Sequence, residues 1–225
     1  MPNKQKVIPL LDKLDPAAKM VGAVNTIVND DGVLTGYTTD GIGFMKALAD
    51  EGLDIREHKM TLAGAGGAGT AIAVQAALDG VKEISIFNMH DATWANAERN
   101  VKLINEQTDC HATLHSLEDR DDFKREIQSS YIYTDSTGVG MKPLEDKTLV
   151  DDPSWFSSDQ IVFDTVYAPR TTKLMKVARQ AGLKHVYNGL GMMLEQGAAA
   201  FKLWTGEDMP VDYIHQILFS DDQDK

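Results

Sequence analysis

Cysteine occurs once in this chain, at Cys110, so no intrachain disulfide staples the fold and a reducing compartment is expected. A lone cysteine at the start of a strand acts as a small, buried apolar residue. Long apolar runs are missing too. None approaches the roughly 18 residues that a membrane span requires. The opening MPNKQKVIPLLDKLDP is broken by prolines and charges where a signal peptide would carry its apolar core. Positive charge is scarce, with 22 Lys and Arg against 34 Asp and Glu and a net charge of −12. The acids are dispersed, with short clusters only, such as Glu118, Asp119, Asp121 and Asp122. Such a surface repels phosphate backbones and excludes nucleic acid as the expected partner. An anionic small molecule stays compatible with it, because a few lysines and backbone N–H groups hold one locally. No metal site and no membrane contact are assigned, and a cytoplasmic location is expected.

What is present is an ordinary globular composition over 225 residues, long enough for a nucleotide-binding domain plus part of a second one. Residues 5–19 carry a short amphipathic pattern (Val7, Leu10, Leu11, Leu14) that ends near Asp15-Pro16. VGAVNTIV and GVLTGYT follow as two β-rich runs around Asp31-Gly32, a hairpin signal. After Asp40-Gly41 a helical pattern runs through Phe44, Ala47 and Leu48. From residue 59 strands and helices alternate: MTLAGAG, KEISIFN, HATLHSL, YIYTDSTGVG, QIVFDTVY and KHVYNGL read as strands separated by helices. That order implies right-handed crossovers and a doubly wound, mostly parallel α/β sheet. Two helices, MMLEQGAAAFKLWTG and DMPVDYIHQIL, close the chain.

Gly64, Gly66 and Gly69 satisfy G-x-G-x-x-G between an apolar strand and a small-residue helix, the context that a dinucleotide site requires. Gly64 permits the tight turn, Gly66 lets the backbone approach a pyrophosphate, and Gly69 lets helix and strand pack closely. The helix N-terminus offers free N–H groups and a positive dipole end to the phosphates. Ala65, Gly67 and Ala68 complete the loop. Cofactor choice is read after the next strand, in Asn88-Met89-His90-Asp91. An acid there accepts the ribose hydroxyls and repels a 2′-phosphate, which needs a cation. Asp91 is the candidate acid, no Lys or Arg lies in the segment, and His90 is cationic only when protonated. NAD is therefore favoured over NADP. Asp91 also suits a helix cap.

Three polar features flank this block. Lys4 suits a solvated terminal charge, Asn25-Thr26 a turn or sheet edge, and Asp40 a helix cap. Composition and spacing stop at an NAD-binding domain with an unknown substrate.

Taken together the segments resemble the shikimate dehydrogenase family, and most of all its shikimate/quinate branch. GAVNT at 22–26, GYTTDG at 36–41, GAGGAGTA at 64–71, GVGMKPL at 138–144, DTVYAPRTT at 164–172 and GLGMMLEQGAAAFKLWTG at 189–206 carry the likeness in order. MPNK at the N-terminus resembles the family's lysine segment. The resemblance implies a Rossmann-like NAD(P)-binding domain over 41–191. It implies beside it an incomplete α/β substrate domain built from both chain ends, 1–40 and 192–225. The implied activity is reversible hydride transfer between nicotinamide and the ring alcohol of shikimate, quinate or a similar polyol acid. Lys4 and Asp40 would be the catalytic pair, Asn25 and Gln196 would bind the ring hydroxyls, and Thr165, Val166 and Tyr167 with Gly189 and Met192 would form the wall against the nicotinamide. A lysine partly removed from water shuttles a proton near neutrality, and an adjacent carboxylate orients it.

The chain departs from the family pattern in places. Relatives carry a strand–helix–strand with an S-x-S carboxylate site ahead of the lysine segment, and this chain begins at that lysine. Unpaired sheet edges and an exposed apolar face are therefore expected, and with them self-association as a homodimer. A dinucleotide-binding module without catalysis is the alternative function. Thr38 stands where the family usually has Asn, Ser136-Thr137 lies in a loop that more often begins with Asn, and the arginine that many relatives carry after the second strand of the nucleotide domain is absent.

Overall fold

The computed structural model describes residues 3–219, so Met1 and Pro2 of the MPNK segment lie outside the described residues. Two sheets organise the chain. The smaller has the order β1-β3-β2, from β1 (Lys13–Leu14), β2 (Thr26–Asp30) and β3 (Val33–Tyr37). β1 runs parallel to β3, whereas β2 and β3 form an antiparallel hairpin. Asp31 (φ +50°) and Gly32 (φ +93°) both lie in the left-handed region, as the tight turn of that hairpin demands.

The amphipathic segment differs from its sequence expectation. Asp15-Pro16 opens a helix, α1 (Pro16–Val21), rather than ending one. Asp15 accepts from the N–H groups of Ala17 (3.0 Å) and Ala18 (3.2 Å), and Pro16 occupies the first helical position, where its missing N–H costs nothing. Val21 is thereby helical, and the first strand of the hairpin starts only at Thr26, after Gly22 ends α1 in a left-handed conformation (φ +67°).

The larger sheet contains β4 (Lys59–Ala63), β5 (Glu83–Asn88), β6 (His111–Ser116), β7 (Ile132–Asp135), β8 (Ile161–Asp164) and β9 (His185–Tyr187). All its pairings are parallel, and the strand order is β6-β5-β4-β7-β8-β9. The doubly wound expectation holds. Helices α3 (Gly67–Leu78), α4 (Trp94–Gln107), α5 (Arg120–Ser129) and α6 (Lys173–Gln180) join successive strands. The strand order reverses between β4 and β7, and their carboxyl ends open the crevice where such sheets take ligands. Both faces are buried: Ile72, Ile84 and Ile132 belong to one apolar cluster, and Phe87, Phe123 and Tyr133 to the other.

α2 (Asp40–Asp50) links the two sheets, packing on both α3 and α7 (Leu190–Thr205). The first apolar cluster runs without a break from Met20 and Val21 through Phe44 and Leu48 into the large sheet. α8 (Val211–Phe219) follows Pro210. Large apolar side chains stay exposed, Leu10 at 73% near β1, Trp204 at 60% beside β2 and Tyr213 at 64% on α8. The outer edge of β2 is partly covered, because the Trp204 indole N–H donates to the Ile27 carbonyl (2.9 Å). Among the described residues, no helix is long and apolar enough to cross a membrane.

Candidate active site

Lys4, Asn25, Asp40 and Gln196 come from four distant stretches of chain and meet in one cavity of about 310 Å³. The Val24 N–H donates to the Lys4 carbonyl (2.9 Å), which ties the N-terminal segment beside Asn25. The Lys4 ammonium donates to Asp40 Oδ2. Asn25 Nδ2 donates to Asp40 Oδ1 (2.8 Å) and to Thr39 Oγ1 (3.0 Å), and it lies 3.4 Å from Gln196 Oε1. Thr39 is fully buried, and its N–H donates to Asn25 Oδ1 (3.0 Å) while its hydroxyl reaches Gln196 Oε1 (3.3 Å). Thr39 was missed by the sequence reading, although its place before Asp40 in the TTDG segment was the available signal.

Asp40 is the first residue of α2 and makes no capping bond there; Thr39 holds the cap position. Its carboxylate is spent instead on Lys4 and Asn25, at the positive end of the helix. Gln196 is positioned by a close helix crossing. A Cβ on Gly43 of α2 would stand 2.6 Å from the Met192 carbonyl oxygen and from the Gln196 nitrogen of α7, so only glycine permits this approach.

The glycine loop forms the facing wall. Gly64 is left-handed (φ +92°), and its N–H donates to the Phe87 carbonyl (2.8 Å). The first helical turn of α3 starts at Gly67 with Gly66 as a cap without side chain, and a Cβ at either would meet nothing within 4 Å. This bare N-terminus faces open space of the kind a pyrophosphate fills. Ala68, in the same turn, lines the cavity that holds Lys4 and Asp40. Asn88 is buried at the end of β5 and fixes the loop from below, its Oδ1 accepting from the Ala65 N–H (3.0 Å). The Ser136 hydroxyl donates toward the Ala63 carbonyl (2.7 Å) and that of Gly64 (2.9 Å).

Asp91 is exposed and accepts from both the N–H (2.8 Å) and the hydroxyl (2.6 Å) of Thr93. Those bonds hold its carboxyl below the usual carboxylate range. The turn before α4 is thus capped by Asp91, and the same carboxylate remains charged at the surface. His90 stacks on Trp94, with ring centroids 3.7 Å apart.

The opposite wall consists of Thr165, Tyr167, Gly189, Met192 and Met193. Val166, singled out with its neighbours by the family likeness, is buried and does not line the cavity; Thr165 and Tyr167 do. A Cβ on Gly189 would stand 2.0 Å from the Thr165 carbonyl oxygen, which explains glycine there. A larger cavity of about 750 Å³ opens beside α2, but both cations that line it are already paired, Arg56 with Asp54 and Lys46 with Asp50. The smaller cavity is the chemical one: it joins a cation, a carboxylate and two amides to an anion-ready helix N-terminus. Among the described residues no cluster of His, Cys, Asp and Glu could hold a metal ion.

Comparison with known proteins identifies the family. The family model described as the shikimate dehydrogenase substrate binding domain matches residues 1–27, and that of the shikimate 5'-dehydrogenase C-terminal domain matches residues 189–219. The chain is 60% identical over 227 residues to the shikimate dehydrogenase (NADP(+)) of Streptococcus uberis, covering 100% of this chain and 77% of the relative. To that of Listeria monocytogenes it is 57% identical over 219 residues, 97% of this chain and 75% of the relative. The crystal structure of shikimate 5-dehydrogenase from Listeria monocytogenes with shikimate and NAD superposes with a TM-score of 0.94 at 57% identity, over 97% of this chain and 75% of that one. Quinate dehydrogenase from Corynebacterium glutamicum with NAD gives a TM-score of 0.84 at 29% identity, over 97% and 75%.

Proposed function

Because the chain belongs to the shikimate dehydrogenase family of oxidoreductases, we propose that it oxidises and reduces the ring alcohol and ketone of shikimate or a similar polyol acid, such as quinate. The observation that carries this reading is the Lys4–Asp40 pair beside Asn25 and Gln196. A bound nicotinamide dinucleotide supplies the hydride acceptor at its ring C4. As the hydride leaves the carbinol carbon, unprotonated Lys4 takes the hydroxyl proton at Nζ; in reverse, its ammonium returns that proton to the ketone oxygen. Asp40 orients the amine and accepts from a ring hydroxyl. Asn25 and Gln196 bind further hydroxyls with amides that both donate and accept. Thr165, Tyr167, Gly189 and Met192 exclude water on the nicotinamide side. The alternative of a binding module without catalysis leaves this polar cluster without a task.

NAD is the favoured cofactor over NADP, although the relatives are named for NADP(+). The support is local: Asp91 stays ionised beyond β5, and residues 88–94 hold no Lys or Arg. The nucleotide domain is placed at 41–191 and the substrate domain at 1–40 and 192–225, with α2 packed on both. A cytoplasmic enzyme that self-associates through exposed apolar side chains such as Leu10, Trp204 and Tyr213 completes the reading. Sedimentation then detects a dimer, and a clean monomer at high concentration contradicts that part.

The experiment is an absorbance assay of reduced nicotinamide with shikimate and quinate, using NAD and NADP separately. Hydride transfer to either cofactor supports the reading. Tight dinucleotide binding with no oxidation of any polyol acid overturns it.

A further inference from the structure

Two buried carboxylates take no part in the chemistry above. Asp135 closes β7 and Asp164 closes β8, and they are direct register partners at the carboxyl ends of adjacent strands. Their exposures are 2% and 1%. Each carboxylate binds the loop that follows its own strand. Asp135 Oδ1 accepts from the N–H (2.9 Å) and the hydroxyl (2.6 Å) of Thr137, while Oδ2 accepts from the Tyr133 hydroxyl (3.2 Å). Asp164 Oδ1 accepts from the Val166 N–H (3.0 Å), and Oδ2 from the Thr172 hydroxyl (2.6 Å).

The two loops meet the nucleotide pocket from below and from the side. Ser136, beside Thr137, lies against the Ala63 and Gly64 carbonyls at the root of the glycine loop. Thr165 and Tyr167, either side of Val166, line the cavity. We infer that Asp135 and Asp164 form a positioning pair for the dinucleotide, one carboxylate setting the loop under the pyrophosphate turn and the other setting the nicotinamide wall. This inference rests on the nucleotide site proposed above and adds residues that do not line its cavity.

The pair also makes cofactor binding sensitive to pH. Burial, and then the charge of Asp135, push the Asp164 carboxyl up to about 7. Burial raises Asp135 as well, against the opposing bonds from Thr137. Tyr133 and Arg120 are the neighbouring titratable groups. Tyr133 is pushed well above its usual value by burial and by both carboxylates, and Arg120 at the start of α5 is the cation acting on it. Bonds donated to an ionised carboxylate are roughly twice as strong as those to a neutral acid. Ionised Asp164 therefore holds the Val166 N–H and the wall firmly, and neutral Asp164 holds them loosely.

The test is calorimetric binding of NAD to wild type and to Asp164→Asn from about pH 5.5 to about pH 8.5. In wild type the Kd falls about fivefold as pH rises through neutrality, the ratio that a charge-assisted bond holds over a neutral one. Asp164→Asn keeps the acceptor at Oδ1 and carries no charge, so its Kd stays near the acidic wild-type value throughout. Any contribution of His90, beside Asp91, is common to both proteins. A purely structural role shifts the melting temperature of the variant and leaves the two pH profiles parallel, which overturns the inference. A wild-type Kd that is flat with pH overturns it equally, whatever the variant does. Binding with this profile but without turnover removes the dehydrogenase reading alone. No dinucleotide binding at any pH removes both.

Discussion

Gly69 on α3 approaches Gly64 so closely that a Cβ on Gly69 would stand 2.0 Å from the Gly64 carbonyl oxygen. Gly66, between them, has no heavy atom within 4 Å of where its Cβ would be. The same three-glycine pattern thus contains two different constraints, one imposed by the protein on itself and one left for a ligand.

The two glycines should separate by experiment. Gly69→Ala forces backbone apart and is expected to cost about 3 kcal/mol or more of folding stability. Gly66→Ala is expected to fold with a nearly unchanged melting temperature and to lose dinucleotide affinity at least about tenfold, since the new methyl occupies ligand space. Thermal melts and calorimetric titration of both variants check this. A Gly66→Ala protein with intact affinity contradicts the pocket assignment.

Gln196 depends on the crossing of α2 and α7 at Gly43. Gln196→Ala is expected to raise the KM for the polyol acid about tenfold, through loss of one or two hydroxyl contacts. The KM for the dinucleotide should stay within about twofold. Gly43→Ala displaces α7, so it is expected to reproduce the substrate effect and to lower stability as well. Steady-state kinetics with each substrate varied in turn distinguishes the two.

Much of this was legible in the sequence, and the boundary has physical causes. The doubly wound sheet was readable because strands alternate with helices along most of residues 59–191, so local patterns and topology agree. The glycine loop was readable because its constraints are local. Asp15-Pro16 misled: a proline after an acid ends one pattern and opens another equally well, and only the bonds to Ala17 and Ala18 decide it. The meeting of Lys4, Asn25, Asp40 and Gln196 rested on family likeness, since no spacing rule joins residues so far apart in the chain. Thr39 and the Asp135–Asp164 pair were invisible because their roles arise from burial and from register across strands.

Asp91 predicts a graded cofactor preference. Wild type is expected to show a higher kcat/KM with NAD than with NADP. Asp91→Asn keeps an acceptor for the Thr93 N–H and removes the charge that repels a 2′-phosphate. It is expected to narrow the preference by about tenfold, a shift of about 1.4 kcal/mol. An unchanged ratio places the selectivity elsewhere.

Cys110 is buried and its thiol is pushed up to about 12, chiefly by desolvation. The native protein should therefore resist aromatic disulfide reagents at pH 8, and the thiol should react only as the chain unfolds. Rapid stoichiometric labelling under native conditions contradicts the packing of β6 against the core.

The central claim is that Lys4 moves the substrate proton while Asp40 orients it, and one measurement reaches it most directly. Single-turnover reduction of bound nicotinamide by shikimate is compared in wild type and Lys4→Met, with dinucleotide Kd measured on the same samples. The account predicts a rate lower by about 10² to 10⁴ in the variant with the Kd unchanged, the loss expected when a positioned acid–base group is removed. A Lys4→Met enzyme that transfers hydride at the wild-type rate contradicts it.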